Sequence, residues 1–181
     1  AVLRPGVVGV ETDAPTAQIR SASELVLTAA ETGVRVSVVR LAPSVHGAGD
    51  RAFVPALIDI ARRSGVSAYV GDGQTRWPAV HRLDAAVLFR LALEQAPAGS
   101  RQHGVAEEGI AVRAIAEAIG AGLGVPVRSV APDEAETRFG WLAGFLALDA
   151  PASSAITRQT LGWTPTQPDL LTDMRLNGYF G

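Results

Sequence analysis

The 181 residues are 48% hydrophobic and 19% charged, with a formal net charge of -2, a composition that suits a globular core. The arginines are scattered and no apolar stretch reaches the ~18 residues of a membrane span, so neither nucleic-acid binding nor a membrane role is expected. Zero cysteines exclude disulfides and thiolate metal sites. There is no signal-peptide pattern, and we expect a cytoplasmic protein.

The first 32 residues predict a loop followed by a helix. Residues 1–16 lack periodicity, and the chain begins at Ala1 without an initiator methionine, so we expect a fragment of a longer protein. A helix is predicted over residues 16–32, because Ile19 and Val26 fall on one face at helical spacing. Gly33 follows as the residue that ends this helix in a left-handed conformation.

A strand and a loop come next. Residues 34–41 are rich in valine, and a helix, a glycine and such a strand make up the second half of a βαβ unit. This order predicts a parallel sheet. Ligands bind at the carboxyl ends of strands in open parallel sheets. The loop over residues 42–50 is therefore expected to line a ligand site.

Shorter elements follow, and the change of rhythm near Gly65 predicts a division into residues 1–65 and 66–181. Asp84 is expected to be the N-cap residue of a helix. The GAGLG run over residues 120–124 follows a helix, the reverse of the order in a dinucleotide-binding turn, and is read as a helix end. The remaining predicted elements are helices over residues 52–63, 85–95, 110–119, 132–148 (with a break near Gly140) and 169–177, a short helix capped by Ser153 or Ser154, and strands over residues 67–70, 77–81, 102–106 and 125–130.

Three segments together carry a family resemblance. They are residues 40–47 (RLAPSVHG), residues 71–86 (GDGQTRWPAVHRLDAA) and residues 161–165 (LGWTP). In this order and spacing they resemble the C-terminal part of NAD-dependent epimerase/dehydratase proteins, an extended or atypical branch of the short-chain dehydrogenase superfamily. The resemblance implies an α/β fold in which residues 1–65 are the C-terminal part of a Rossmann-like parallel sheet. Residues 66–181 would form a smaller α/β substrate-binding lobe.

The first of these segments implies the cofactor side of a cleft. By the resemblance, Pro43, Ser44, Val45 and His46 would face NAD or NADP. The alternative is an ordinary strand-to-loop turn in which His46 caps the loop. The three histidines of the chain share no metal-ligand spacing, so no metal site is predicted.

The second segment implies the side of the cleft that binds a small-molecule substrate, with Arg76, Trp77 and His81 facing it. Nucleotide-sugar enzymes of this family hold the substrate pyrophosphate with an arginine seven residues before the position of Asp84, where this chain has Trp77. A smaller or more apolar substrate is therefore favoured. Two alternatives stay open: Trp77 is a cleft wall or a core residue, and His81 contacts substrate or orients a loop.

Two departures from the family concern catalysis. The catalytic tyrosine and lysine of the family would fall at Thr16 and Arg20, counting back from Glu24. Arg20 could hold the cofactor by its charge, but an arginine is not a tunable acid, so the catalytic residues stay unassigned. The glycine-rich phosphate-binding turn is also missing upstream, and the chain alone should not bind a dinucleotide tightly.

Two hypotheses of function follow from the resemblance. The first is a fragment of an NAD(P)-dependent epimerase, dehydratase or reductase that transfers a hydride on a small carbonyl or alcohol substrate. The second is a non-catalytic NAD(P)-sensing or ligand-sensing module, favoured by Thr16 and Arg20. In this family the helix matching residues 16–32 packs in the helix bundle of a dimer, which implies a homodimer here. Half a parallel sheet would also leave an unpaired strand edge.

Overall fold

The structure is a computed structural model that describes residue 8, residue 23 and residues 25–181. Within these residues the chain forms seven short strands in three small sheets, with helices packed against them. The strands are β1 (Ser37–Leu41), β2 (Ser44–His46), β3 (Ser67–Val70), β4 (Arg76–His81), β5 (Ser100–Gly104), β6 (Glu107–Ala111) and β7 (Val127–Val130). The α-helices are α1 (Phe53–Ser64), α2 (Arg82–Gln95), α3 (Val112–Leu123), α4 (Ala135–Phe139), α5 (Ala143–Leu146), α6 (Ala155–Leu161) and α7 (Leu170–Leu176). The 3-10 helices are Thr28–Thr32, Pro132–Glu134 and Gly140–Leu142.

The strand pairings confirm the predicted α/β class with parallel strands. β1 pairs in parallel with β5, β2 with β4, and β3 with β7, while β6 joins β4 in the antiparallel direction. The sheet of β1 takes its second strand from beyond residue 65, so it combines residues from both sides of the predicted division. The division itself stays a prediction. Among the described residues β1 has one paired edge, and its other edge has no strand beside it.

The larger apolar core lies between α1, α3 and the helical segment over residues 132–146. α1 buries Val54, Leu57, Ile58 and Ala61, which recur three and four residues apart and so share one face. Trp77 of β4 belongs to the same core. The 132–146 segment is broken at Gly140, whose φ of +56° favours glycine. The predicted break near this residue is confirmed.

A second core lies between α2 and the strands β1, β4 and β5. Leu88 and Ala92 of α2 pack there with Trp163. Gly104 permits this close packing, because a Cβ atom at that position would lie 2.8 Å from the Leu41 side chain and 3.3 Å from that of Leu88. This core fixes α2, and with it the end of β4, against the first sheet.

The cap of α2 differs from the prediction. The helix begins at Arg82, and Nδ1 of His81 accepts the Leu83 N–H at 3.2 Å, so His81 is the N-cap residue. The prediction of Asp84 as the N-cap is therefore wrong. The Asp84 carboxylate instead accepts the backbone N–H groups of Thr166 and Gln167, both at 3.0 Å, and holds the LGWTP turn.

Sequence periodicity also missed a strand. β6 begins at Glu107, where the sequence carries no strand pattern, and its pairing with β4 decides its conformation. α3 consequently begins at Val112, two residues after the predicted start. It runs four residues past the predicted end at 119 and stops within the GAGLG run, where Gly124 closes it with φ +66°. At α6, Ser154 makes no capping hydrogen bond, since its hydroxyl donates to Val105 O at 2.6 Å.

The N-terminal helix is described only at its end. Residues 25–27 are helical, and Thr28–Thr32 continue as a 3-10 helix that stops at Gly33 with φ +86°. The predicted stop is confirmed, while the start of the predicted helix lies outside the described residues. In the part of the chain that the structure describes, no helix combines the length and apolarity needed to cross a membrane.

Candidate functional site

The segment after β1 leaves one sheet and joins another. The Ala42 N–H donates to Gly104 O at 3.1 Å and so completes the pairing of β1 with β5. Two residues later β2 pairs with β4, which sets His46 beside His81. The loop over residues 42–50 therefore starts at the carboxyl end of a parallel strand, the ligand-binding edge of open α/β sheets.

His46 is held by a carboxylate from the other end of the chain. Its Nδ1 lies 2.8 Å from Oδ2 of Asp173, and the two side chains are 1% and 0% exposed. A carboxylate only accepts hydrogen bonds, so Nδ1 carries the proton of this contact. Nε2 has no hydrogen-bond partner among the described residues. Asp173 thus orients the imidazole from one side, and among the described residues no hydrogen bond engages its second nitrogen.

The Asp173 carboxylate also contacts Asn177 and His81. Asn177, one turn later on the same helix, donates from Nδ2 to Oδ1 of Asp173. Nε2 of His81 lies 4.0 Å from the same oxygen. The rings of His46 and His81 meet edge to face with centroids 5.2 Å apart. α7 therefore holds the ends of both β2 and β4 through one buried carboxylate.

Glu107 lies on the opposite side of His46. Its Oε2 is 3.9 Å from Nε2 of His46 and accepts the Leu170 N–H at 2.8 Å. Burial raises the pKa of Glu107 above its ordinary value, while the hydrogen bond from Leu170 lowers it. The imidazole thus stands between two carboxyl groups, with Nε2 able to accept a hydrogen bond.

His81 is the neutral member of this polar cluster. Burial lowers its pKa first, and the neighbouring His46 and Arg82 lower it further, against the charges of Asp173 and Asp84. Its Nδ1 accepts the Leu83 N–H, so in the neutral ring the proton resides on Nε2. This supports the alternative in which His81 orients a loop. A substrate contact by His81 stays a prediction.

The loop after His46 is fastened to the C-terminus by Tyr179. The Tyr179 hydroxyl accepts the Gly47 N–H at 3.1 Å and lies 3.1 Å from Oδ2 of Asp50, to which it can donate. Burial raises the pKa of Tyr179 well above its ordinary range, so the phenol keeps its proton. A small cavity between Gly47, Arg62 and Tyr179 separates this contact from α1.

An open cleft lies on the other side of the same loop. It has a volume of about 460 Å³ and is bordered by residues 45–52 and by Arg82 at the start of α2. His46 and Val45 belong to its lining. A volume of this size suits a small molecule or part of a cofactor.

The four residues predicted to face the cofactor occupy this region to different depths. Ser44 and His46 are buried, whereas Pro43 and Val45 are half-buried. The hydroxyl of Ser44, like Nε2 of His46, has no hydrogen-bond partner among the described residues. Their contact with a cofactor stays a prediction, and Thr16 and Arg20 lie outside the described residues.

Two residues predicted on the substrate side have other partners. Trp77 is 3% exposed, and its indole N–H donates to Phe145 O at 3.1 Å, so it is a core residue rather than a cleft wall. Additional chain can only bury it further. Arg76 forms a two-pronged ion pair with Asp149, at 3.0 Å from Nε and 2.8 Å from Nη2. This carboxylate holds the guanidinium in place, and a contact of Arg76 with substrate stays a prediction.

Four polar side chains of the site have no counterpart in the prediction: Asp50, Glu107, Asp173 and Tyr179. Asp173 stands 127 residues from His46, and no local pattern links them. The polar residue that interrupts the apolar face of α7 was the available signal, since a buried acid in an amphipathic helix demands a partner. Among the described residues no group of three or more histidine and acidic side chains is arranged to hold a metal ion.

The α/β fold with parallel strands matches part of the Rossmann-like fold of several solved structures. The dTDP-glucose 4,6-dehydratase DesIV of Streptomyces venezuelae, solved with NAD and TYD bound, matches 94% of this chain and 55% of its own with a TM-score of 0.70 and 18% identity. RMD of Pseudomonas aeruginosa, solved with NADPH, matches 88% of this chain and 52% of its own with a TM-score of 0.63 and 17% identity. At these identities the likeness concerns the fold alone.

Two fungal proteins are similar in sequence. C2A9.02, an uncharacterized protein of Schizosaccharomyces pombe, is 56% identical over 151 residues, which are 83% of this chain and 51% of that protein. YLL056C, an uncharacterized protein of Saccharomyces cerevisiae, is 48% identical over 179 residues, 97% of this chain and 60% of that protein. The chain therefore spans about half to three-fifths of the length of these relatives. No family model matches the chain.

Proposed function

We propose that this chain is part of an NAD(P)-dependent enzyme that transfers a hydride to or from a small carbonyl or alcohol substrate. The observation that supports this function is a pair of buried polar atoms, Ser44 Oγ and His46 Nε2. Neither has a partner among the described residues, and both belong to β2, the short strand that follows the carboxyl end of β1. Buried polar groups in proteins are almost always hydrogen-bonded, so two neighbouring exceptions indicate a ligand.

The cofactor in this proposal is NAD or NADP, with its nicotinamide end against Pro43, Ser44, Val45 and His46. The hydroxyl of Ser44 can donate or accept a hydrogen bond, and Nε2 of His46 accepts one, which fits a group that carries both donors and acceptors. Nicotinamide, when bound, supplies the carbon that accepts or releases a hydride. Arg20 would add a positive charge on this side. The dinucleotides in the solved DesIV and RMD structures support the choice of cofactor class.

The chain's own contribution is orientation and the exclusion of water. Asp173 keeps the proton of His46 on Nδ1, so that Nε2 is presented as an acceptor. Tyr179 holds the loop through the Gly47 N–H. On the substrate side, His81 remains the candidate for a direct contact. Arg76 and Trp77 would act through packing, since both side chains already have partners in the protein.

Binding of NADH and NADPH by the complete protein tests the proposal. Energy transfer from tryptophan to the reduced nicotinamide reports binding without turnover. We expect saturable binding of one of the two cofactors, weakened about tenfold or more in His46→Ala, since about 1.4 kcal/mol of lost interaction is tenfold in affinity. Arg90→Gln, an exposed change on α2, is the matched control. Absence of binding at millimolar concentrations of both cofactors would overturn the proposal.

A second candidate function is a module that senses NAD(P) or another ligand without catalysis. Thr16 and Arg20 favour it, because neither can replace a phenol acid and its lysine partner. The double variant Thr16→Tyr with Arg20→Lys distinguishes the two functions in the complete protein. Cofactor binding without any gain in NADH oxidation would favour the sensing module, whereas restored oxidation across a panel of small carbonyl compounds would favour the enzyme.

Self-association through the helix over residues 16–32 is part of the same proposal. At its described end Leu25 and Val26 are 70% and 53% exposed, an apolar surface that suits a helix bundle. Sedimentation of the complete protein gives its mass in solution. A strict monomer would contradict the proposed dimer, and Leu25→Gln should weaken a dimer that uses this helix.

A further inference from the structure

Two arginines of the open cleft beside the loop have no charged partner among the described residues. Arg51 and Arg82 both border it. In the part of the chain that the structure describes, neither guanidinium forms an ion pair or a side-chain hydrogen bond. Asp50 is an acid in the same lining, and both of its carboxylate oxygens contact other groups. Oδ1 accepts the Ala52 N–H at 2.8 Å, and Oδ2 lies 3.1 Å from the Tyr179 hydroxyl.

The position of Arg82 depends on the shape of the loop. Gly47 has φ +127°, and a Cβ atom there would lie 3.0 Å from Cγ and 3.1 Å from Cδ of Arg82. The aliphatic part of Arg82 therefore lies directly against Gly47, as does Nε2 of His81, which the same Cβ atom would meet at 3.0 Å. A side chain that is already packed along its stem loses less conformational freedom when its charged end binds a ligand.

The charge of Arg82 is also unusual for its place in the helix. It is the first residue of α2, where the helix dipole favours negative side chains over positive ones. The acid of the first turn, Asp84, points to Thr166 and Gln167 and does not balance this charge. A helix end that adds a cation to its own positive dipole favours an anion at the open cleft.

The pyrophosphate position of the related nucleotide-sugar enzymes cannot supply this function here. That position is Trp77, which is buried and apolar, and the neighbouring Arg76 is paired with Asp149. Among the described residues, the two unpaired cations of the cleft lie in different segments: Arg51 lies two residues before α1, and Arg82 is the first residue of α2. Their site is therefore distinct from the one that the family resemblance implies.

We propose that Arg51 and Arg82 bind an oxyanion, the carboxylate or phosphate group of a small-molecule substrate, in the cleft beside residues 45–52. This inference deepens the proposed function and rests on it for the role of the anion as substrate. Anion binding itself needs no nicotinamide cofactor. Loss of cofactor binding would leave anion binding intact, so the two proposals fail separately.

Titration of the complete protein with inorganic phosphate, and separately with succinate, tests the site at constant ionic strength set with sodium chloride. The readouts are calorimetry and the shift in melting temperature, both without cofactor. We expect at least one of the two anions to bind with a millimolar or lower dissociation constant. Arg82→Gln and Arg51→Gln should each weaken binding about tenfold, and preference between the two anions identifies phosphate or carboxylate.

Arg63→Gln is the matched control, because this exposed arginine lies on the last turn of α1, outside the cleft. Gly47→Ala is a second variant that leaves both charges in place but crowds the stem of Arg82 and the ring of His81, and it should also weaken binding. Circular dichroism verifies that each variant is folded. The proposal is overturned if neither anion binds, or if Arg63→Gln weakens binding as much as Arg82→Gln does.

Discussion

The two ends of β4 are held in different ways. At its start, Trp77 packs in the apolar core and meets the ring of Phe53 at 5.2 Å between centroids. At its end, His81 is part of the polar cluster of His46, Glu107 and Asp173. Apolar contacts have no fixed direction and tolerate a change of shape, whereas buried hydrogen bonds require particular atoms at particular distances. The contrast separates the part of the strand that stabilises the fold from the part that orients the candidate site.

Trp77→Ala should have the largest effect on stability. It removes a ring that is 3% exposed, and large-to-small changes of this kind lower the free energy of unfolding by about 3–5 kcal/mol. Urea denaturation followed by circular dichroism measures the change. Trp77→Phe keeps most of the apolar contact and loses the hydrogen bond to Phe145 O, so it should cost only about 1 kcal/mol. Equal losses for both variants would contradict the apolar description of this end.

Asp173→Ala should have the next largest effect, at the polar end. It leaves Nδ1 of His46 and Nδ2 of Asn177 without their acceptor, and unsatisfied buried donors cost about 1–3 kcal/mol. The same denaturation experiment gives the loss of stability. Cofactor binding should weaken in parallel, because His46 is no longer oriented. Asp133→Asn, an exposed acid on the 3-10 helix Pro132–Glu134, is the control that should change neither quantity.

A smaller, pH-dependent effect should distinguish the two ends. Folding lowers the pKa of His81, chiefly through burial, so the unfolded chain takes up the proton first. The stability that neutral His81 contributes is therefore present above the unfolded value of about 6.5 and is lost as the pH falls below it. Urea midpoints at pH 7.5 and 5.5 measure this loss. It should be smaller in His81→Asn, which keeps an N-cap residue but does not titrate.

Glu107 affects the pH dependence of stability in the opposite direction to His81. Burial raises the pKa of Glu107, so on acidification the folded chain takes up this proton before the unfolded chain does. The stability that protonated Glu107 contributes is therefore lost as the pH rises above the ordinary value of 4.5. Glu107→Gln should remove this pH dependence while keeping an oxygen that can accept the Leu170 N–H.

If His81→Asn and the wild type lost equal stability on acidification, the buried His81 would not be the titrating group.

The smallest effect is expected at the outer rim of the aromatic end. Trp141 is 66% exposed and meets Phe53 and Phe145 edge-on or tilted, so Trp141→Ala should change the free energy of unfolding by less than about 1 kcal/mol. The loss of stability should be measured for this variant both in this chain and in the complete protein. A much larger loss in the complete protein would show that further residues cover this rim.

Part of the candidate site could be predicted from local sequence. His46 follows a parallel strand, and its place at a ligand-binding edge is a consequence of strand direction. Trp77 shows the limit of such reasoning, because adjacent residues of a strand point to opposite sides and only the packed core decides which side is buried. Asp84 was a sound N-cap candidate by type, yet the backbone donors of Thr166 and Gln167 compete for its carboxylate.

The sequence by itself determined the α/β class, the helix stop at Gly33, and the place of His46 after the parallel strand β1. These features follow from periodicity and backbone preferences, which act within a few residues. Only the tertiary structure decided that Asp173 orients His46 and that Arg51 and Arg82 share one cleft. Burial and hydrogen-bond partners depend on contacts between distant segments, and the free energy of those contacts is not encoded in any local pattern.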